Sequence, residues 1–361
     1  MKRVPTPEHA LPYDALLICS FGGPNRPADV MPFLRNVVDG RGIPDERLAE
    51  VAEHYLHFGG RSPINEQNLA LRSAIEAEFA ARGVRLPVLW SNRNWHPYTV
   101  DVLRDAVAFG ARRILVLVTS AYASYSGSRQ YREHLAAAVA ELGEDVQIDI
   151  LRPFFNSPGF VQANQDAIGE ALTALPDAHV VYVTHSIPNT MQDASAVTGP
   201  GYAEQHEDVR AVIDDRLGTS GRSSLAYCSR SGDPRTPWLE PDVNDHLAAL
   251  RDAGVRNVIV APIGFISDHM EVAFDLDTEA AETAAELGLG FARAGSASDR
   301  APFIAGLVDM VLERAARERG EDVVAPVVGS LPAFADVAPP NSCRARHDVV
   351  TGVPVLAGFE D

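Results

Sequence analysis

Residues 257–279 read NVIVAPIGFISDHMEVAFDLDTE. The opening run, 257–262, is apolar and rich in β-branched side chains, which is the pattern of a strand buried on both faces. The chain then passes Ile263 and Gly264 and reaches Ser267 and Asp268, either of which can cap a helix. A helical period follows over 268–287. A buried strand that feeds straight into a helix is characteristic of parallel-sheet α/β proteins.

The same alternation extends outward in both directions. In the first half, strands are expected at 15–20, 87–91, 113–119 and 146–151, with helices at 28–38, 45–57, 64–82, 99–109 and 128–142. In the second half, strands are expected at 179–184, 224–228, 257–262 and 290–294, with helices at 158–175, 203–217, 243–253, 268–287 and 301–319. Four strands per half predict an α/β protein of two Rossmann-like, doubly wound domains facing each other across a cleft, each with a four-stranded parallel sheet. The expected division is 1–122 with the returning helix 301–319, then 123–300, then an irregular tail 320–361 that is rich in proline and lacks periodicity. In open sheets of this kind ligands bind beyond the carboxyl ends of the strands. That rule selects 21–24, 92–97, 120–126, 185–188, 229–232 and 264–271.

Composition narrows the function. The chain has 361 residues, 46% hydrophobic and 22% charged, with a formal net charge of −18. Such a charge argues against nucleic acid or an anionic membrane as a partner. No apolar run approaches the roughly 18–20 residues needed to span a bilayer, and no signal peptide is visible at residues 1–10. The expectation is a soluble, cytoplasmic protein, and a monomer. The three cysteines, Cys19, Cys228 and Cys343, are far apart and include no CxxC pair.

Chemistry concentrates in few places. Glu271, Asp275 and Glu279 recur at i, i+4 and i+8, so they share one helical face and drift by only about 40° per step. A turn widened to the π form would align them further, and such turns are frequent at functional sites. No lysine or arginine lies between 257 and 292 to offset the row. Oxygen-rich rows suit divalent ions held transiently; a merely solvated acidic face is the competing reading. His185 ends the apolar run of VVYVTHSIPNT, where an imidazole can accept a proton near neutral pH or ligate a metal. In SFGGPN, residues 20–25, the glycines permit a sharp bend and Phe21 can stack on a flat ligand. Arg35, Arg41, Arg61, Ser62, Arg93, Tyr122, Tyr125 and Ser126 form a cationic and hydroxylic set from which a few members are expected to meet an anionic ligand.

The stretches LLICSFGGPNRPADVMPFLRNVVDGRGIP, EHYLHFGGRSPINEQN, NRNWHPY, SAYASYSGSRQY, VTHSIP, YCSRSGDPRTPWLEPDV and PIGFISDHMEVAFDLD occur in this order along the body of the chain. Together they resemble the ferrochelatases, in particular the actinobacterial type that acts on coproporphyrin III. The resemblance implies insertion of Fe2+ into coproporphyrin III in haem biosynthesis, with protoporphyrin IX as the alternative porphyrin and a noncatalytic haem- or metal-binding protein as the alternative class. It implies His185 and Glu271 as the metal-insertion pair, Asp275 and Glu279 as the continuation of an acidic path, and Phe21, Arg35, Tyr55, Arg61, Ser62, Tyr125 and Trp238 as substrate contacts. It also implies a transient contact with the downstream enzyme of the haem pathway. Related actinobacterial enzymes often carry a [2Fe–2S] cluster on one internal cysteine and three in the tail. Here Ser128 stands at the internal position and the tail offers only Cys343, so the cluster is expected to be absent and no other cofactor is required.

Overall fold

The computed structural model describes residues 10, 12–40, 42–231, 235–349 and 351–358. Arg41 and Gly232, both singled out from the sequence, lie outside the described residues.

The first sheet is built from β1 (Ala15–Ser20), β2 (Val88–Asn92), β3 (Arg113–Val118) and β4 (Gln147–Ile150), in the order β2-β1-β3-β4. The second is built from β5 (His179–His185), β6 (Ser223–Cys228), β7 (Asn257–Ala261) and β8 (Gly290–Arg293), in the order β6-β5-β7-β8. Every pairing is parallel. All six residues of β1 are buried, which is why this strand reads as a continuous apolar run rather than an alternating one. The two orders share one logic: the chain starts in the middle of each sheet, steps to one side and then crosses to the other. The switch lies between β1 and β3 in one sheet and between β5 and β7 in the other, and ligands bind beyond such points.

The expected division at residue 122 cuts the first sheet. β4 pairs with β3 from Arg113↔Gln147 to Val116↔Ile150, so the first sheet runs on to Ile150. The chain reaches the second sheet only through α6 (Pro158–Ala174). The last helix, α12 (Ala301–Glu318), returns to pack on both α6 and α3 (Ile64–Ala81). One apolar core runs between the halves and includes Leu115, Phe154, Phe160, Tyr182, Ile259 and Phe303.

From Gly320 the described residues form no helix or strand. Even so, the tail is fastened to the body. Val328 N donates to Asn156 O at 2.9 Å, Arg317 pairs with Asp336 at 2.7 Å, and the Phe334 ring meets Phe155 edge-on at 6.0 Å. Asp208 accepts from both the backbone N and the hydroxyl of Ser330, at 2.8 and 2.7 Å.

Candidate active site

The carboxyl ends of β1, β3, β5 and β7 open onto a cleft of about 570 Å³, a size suited to a whole small-molecule ligand. His185 is the last residue of β5 and lines it. Glu271 reaches it from α10 (Met270–Phe274), which follows β7 after the connection 262–269. His269 is the cap of α10, its Nδ1 accepting from Val272 N at 3.4 Å. Thus two adjacent strands of one sheet present His185 and Glu271 to the same wall. The Nε2–Oε2 distance is 3.6 Å.

The hydrogen bonds around His185 assign its nitrogens. Nδ1–H donates to Ser186 O at 2.5 Å, so Nε2 is the nitrogen that gains and loses a proton on the side of Glu271. Burial disfavours the imidazolium, but the hydrogen bond and charge of Glu271, the Ser186 carbonyl and Asp275 together raise the His185 pKa. Burial likewise pushes the Glu271 pKa up, and His185, with help from His269, overcomes it and holds the carboxyl well below its usual range. The opposite shifts of the two partners describe one shared proton, with its charge on the imidazole side.

The carboxylate row continues beyond Glu271. The segment Asp275–Glu279 is a π turn, directly after α10 and before α11 (Ala280–Glu286). Asp275 lies close enough to Glu271 and Glu279 to feel the charge of both. Asp275 accepts a hydrogen bond from Ser229 Oγ. Burial raises its pKa to about 7, the Ser229 bond opposing this and the charges of Glu271 and Glu279 adding to it. Glu279 is raised too, first by burial, then by Asp242 and Glu282, against the pull of His54. His54, from α2 (Asp45–His57), stacks on Phe274 at 4.1 Å and 8°, bringing the first half against this helix.

The substrate-contact expectations divide. Phe21, Tyr55, Ser62, Tyr125 and Trp238 all line the cleft. The indole nitrogen of Trp238 is buried there with no hydrogen-bond partner. Gly22 takes φ +86°, and its backbone passes so close to Asn92 that a Cβ would lie 2.8 Å from that residue's own; this sharp turn sets Phe21 at the mouth. Arg35 and Arg61 are not brought into the cleft. Each is an exposed side chain in an ion pair, Arg35 with Asp45 at 2.6 Å and Arg61 with Glu66. Lining residues that neither the strand-end segments nor the candidate sets named include Thr119, Gln130, Tyr131, Met191 and Tyr202. Tyr202 OH donates to His185 O at 3.1 Å and lies 2.6 Å from Thr184 Oγ1. Its signal was hidden because it opens a helix, α8 (Tyr202–Leu217), far along the chain from the strand it supports.

Among the described residues, no group of three or more His, Cys, Asp or Glu side chains is set to hold a resident metal. Nor do the residues fit an iron–sulfur cluster. Cys343 is buried beside Ser128, with Ser342 also bonding to it. Cys19 and Cys228 are interior residues of β1 and β6.

Comparison with other proteins places this geometry. The ferrochelatase family model matches residues 13–315. The coproporphyrin III ferrochelatase of Streptomyces coelicolor is 51% identical over 355 residues, covering 93% of this chain and 95% of that one. That of Streptomyces griseus is 52% identical, covering 93% and 94%. Among solved structures, SirB from Bacillus subtilis with Fe3+ superposes with a TM-score of 0.52 at 12% identity, over 85% of this chain and 97% of that one, a likeness of fold alone. The family match spans both sheets and His185 and Glu271 in the cleft, and this chain belongs to the ferrochelatase family.

Proposed function

We propose that this chain inserts Fe2+ into coproporphyrin III to give iron coproporphyrin. One observation carries the reading: His185 Nε2 and Glu271 Oε2 stand 3.6 Å apart on a single wall of a cleft large enough for the macrocycle. Metal insertion exchanges one divalent cation for two pyrrole protons, so the site needs a proton acceptor at the macrocycle face and a route for the exchanged cations. His185 Nε2 is the acceptor once the proton it shares with Glu271 has passed to that carboxylate, and Ser186 O fixes the ring for it. Glu271 stabilises the imidazolium and takes the proton onward. Asp275, with its pKa near 7, and Glu279 extend the route along the π turn, Fe2+ moving inward and protons outward. The cleft wall of Phe21, Tyr55 and Trp238 packs the ring, and binding energy from these remote contacts holds it in the bent shape that exposes its nitrogens.

His185→Ala is expected to abolish insertion while porphyrin affinity, followed by fluorescence quenching, stays within about threefold. Glu271→Gln should lower kcat by at least about tenfold, below the usual worth of a positioned acid–base group. Near-normal turnover of His185→Ala overturns the assignment. Paired turnover with coproporphyrin III and protoporphyrin IX tests the porphyrin.

Ser128 and the single tail thiol support an enzyme without a [2Fe–2S] cluster, tested by iron and sulfide analysis of fresh protein. We further place the boundary between the halves in the connection 151–157, with α12 returning to the first. No helix among the described residues is long and apolar enough to cross a membrane; a cytoplasmic monomer that hands its product to the next haem-pathway enzyme in a transient contact fits this reading.

A further inference from the structure

We propose that Arg93 is the inner anchor for one propionate of the porphyrin and sets the preference for coproporphyrin over protoporphyrin. The inference rests on the function proposed above and adds a specificity residue to it. Coproporphyrin III carries one propionate on each of its four pyrrole rings, so no edge of the ring is free of a carboxylate. Whichever edge enters the cleft, at least one propionate goes in with it. Protoporphyrin IX carries both propionates on one side and can enter with its apolar vinyl edge first. A carboxylate taken out of water needs a cationic or hydrogen-bonding partner.

Arg93 is the one arginine or lysine among the described residues that line the cleft. It directly follows β2, so it faces the cleft from the first half while His185 and Glu271 face it from the second. Its guanidinium lies 4.6 Å from the Tyr131 ring centroid and 5.8 Å from that of Phe21, held between two aromatic faces. Stacking of this kind orients the guanidinium, Tyr131 OH takes one of its hydrogen bonds, and the planar fork has further donors for a carboxylate. Arg93 forms no ion pair among the described residues, whereas Arg35 and Arg61 are paired outside the cleft. Thr119 and Ser120 line the cleft as well and carry hydroxyls.

The test compares wild type, Arg93→Leu and Arg93→Lys in zinc insertion and in equilibrium porphyrin binding by fluorescence quenching. For coproporphyrin III, Arg93→Leu should lose at least about tenfold in kcat/KM and in affinity, the worth of a charge-assisted hydrogen bond, mainly through KM. For protoporphyrin IX the same variant should change by less than about threefold, and Arg93→Lys should recover part of the coproporphyrin loss. Equal losses on both porphyrins, or an unchanged coproporphyrin kcat/KM, overturn the assignment. If Arg93→Leu does not fold, a coproporphyrin complex of the wild type decides: a propionate within about 4 Å of the guanidinium supports the anchor, and a propionate-free Arg93 refutes it. A wild type that metallates neither porphyrin refutes the parent function instead, so the two failures are distinct.

Discussion

A single methyl group at Gly264 tests whether the site depends on the close approach of two strand ends. Gly264 follows β7 and lies against Thr184, the residue before His185. A Cβ there would sit 2.1 Å from Thr184 Oγ1, 2.5 Å from its Cβ and 2.7 Å from its Cα. The φ of Gly264 lies outside the left-handed region, so the backbone itself admits alanine and the whole penalty is contact. Two of the three clashing atoms belong to the β-carbon and backbone of Thr184, and neither can swing aside as a long side chain does. One strand end must shift by about 1 Å. Overpacking of this type costs about 1–3 kcal/mol or more, which at this chain length amounts to several degrees in Tm. The cost to activity should be larger. Thr184 Oγ1 donates to Tyr202 OH and Tyr202 OH donates to His185 O, so the displacement acts on the carbonyl of His185, the proposed proton acceptor. A misplacement of about 1 Å in a reacting group costs on the order of a hundredfold. Thermal unfolding with zinc insertion into coproporphyrin III reads both effects for Gly264→Ala. A Tm within a degree of wild type with kcat/KM intact would refute the reasoning.

Two further outcomes follow from buried groups away from the reacting atoms. His206 stacks on Tyr122 at 3.6 Å, donates from Nδ1 to Tyr202 O at 2.7 Å and leaves Nε2 buried without a partner. Burial lowers its pKa to about 3, the Tyr202 carbonyl opposing this. The folded chain therefore keeps it neutral while the unfolded chain protonates it below about 6.5. Its contribution is complete above that pH and is lost as pH falls, by about 1.4 kcal/mol at pH 5.5. His206→Phe should flatten the slope of unfolding free energy between pH 6 and 4 by about one proton relative to wild type, and an unchanged slope counts against the burial argument. Asp208→Ala removes the acceptor of both Ser330 bonds. It should cost about 1.5–3 kcal/mol for each bond to a charged group and speed limited proteolysis between 320 and 358, and unchanged cleavage would mean that the tail is held elsewhere.

All eight strands appear where apolar runs predict them, to within a residue or two; the central strands such as β1 are fully buried and leave little sequence ambiguity. The acidic π turn was readable for a related reason: three carboxylates without a nearby cation are costly on an ordinary helix face. α7 (Asn189–Ser195) was missed, being seven residues of mostly polar sequence directly after Pro188, too short to show a period. The expected division at 122 falls within the first sheet because β4 is only four residues long and its strand partner is chosen by tertiary packing.

The cationic residues show why charge is the harder property to read. From sequence, Arg35, Arg61 and Arg93 are equivalent candidates for an anionic substrate. Asp45 lies ten residues from Arg35 and Glu66 five from Arg61, spacings at which only the fold determines whether an ion pair forms. Both pairs are exposed, where such contacts are worth about 0–1 kcal/mol; they stabilise little but keep the two guanidiniums on the outer surface. Arg93 has aromatic neighbours instead, which hold a cation without neutralising it. In the proposed reading, a chain of net charge −18 accommodates an anionic substrate by one local arrangement: a row of carboxylates beside the cleft in the second half, and a guanidinium without an ion-pair partner among the described residues facing it from the first. Recognition of the substrate's carboxylates and removal of its pyrrole protons then fall to different halves of the fold, so charge changes at Arg93 are expected to move KM while those at Glu271 move kcat.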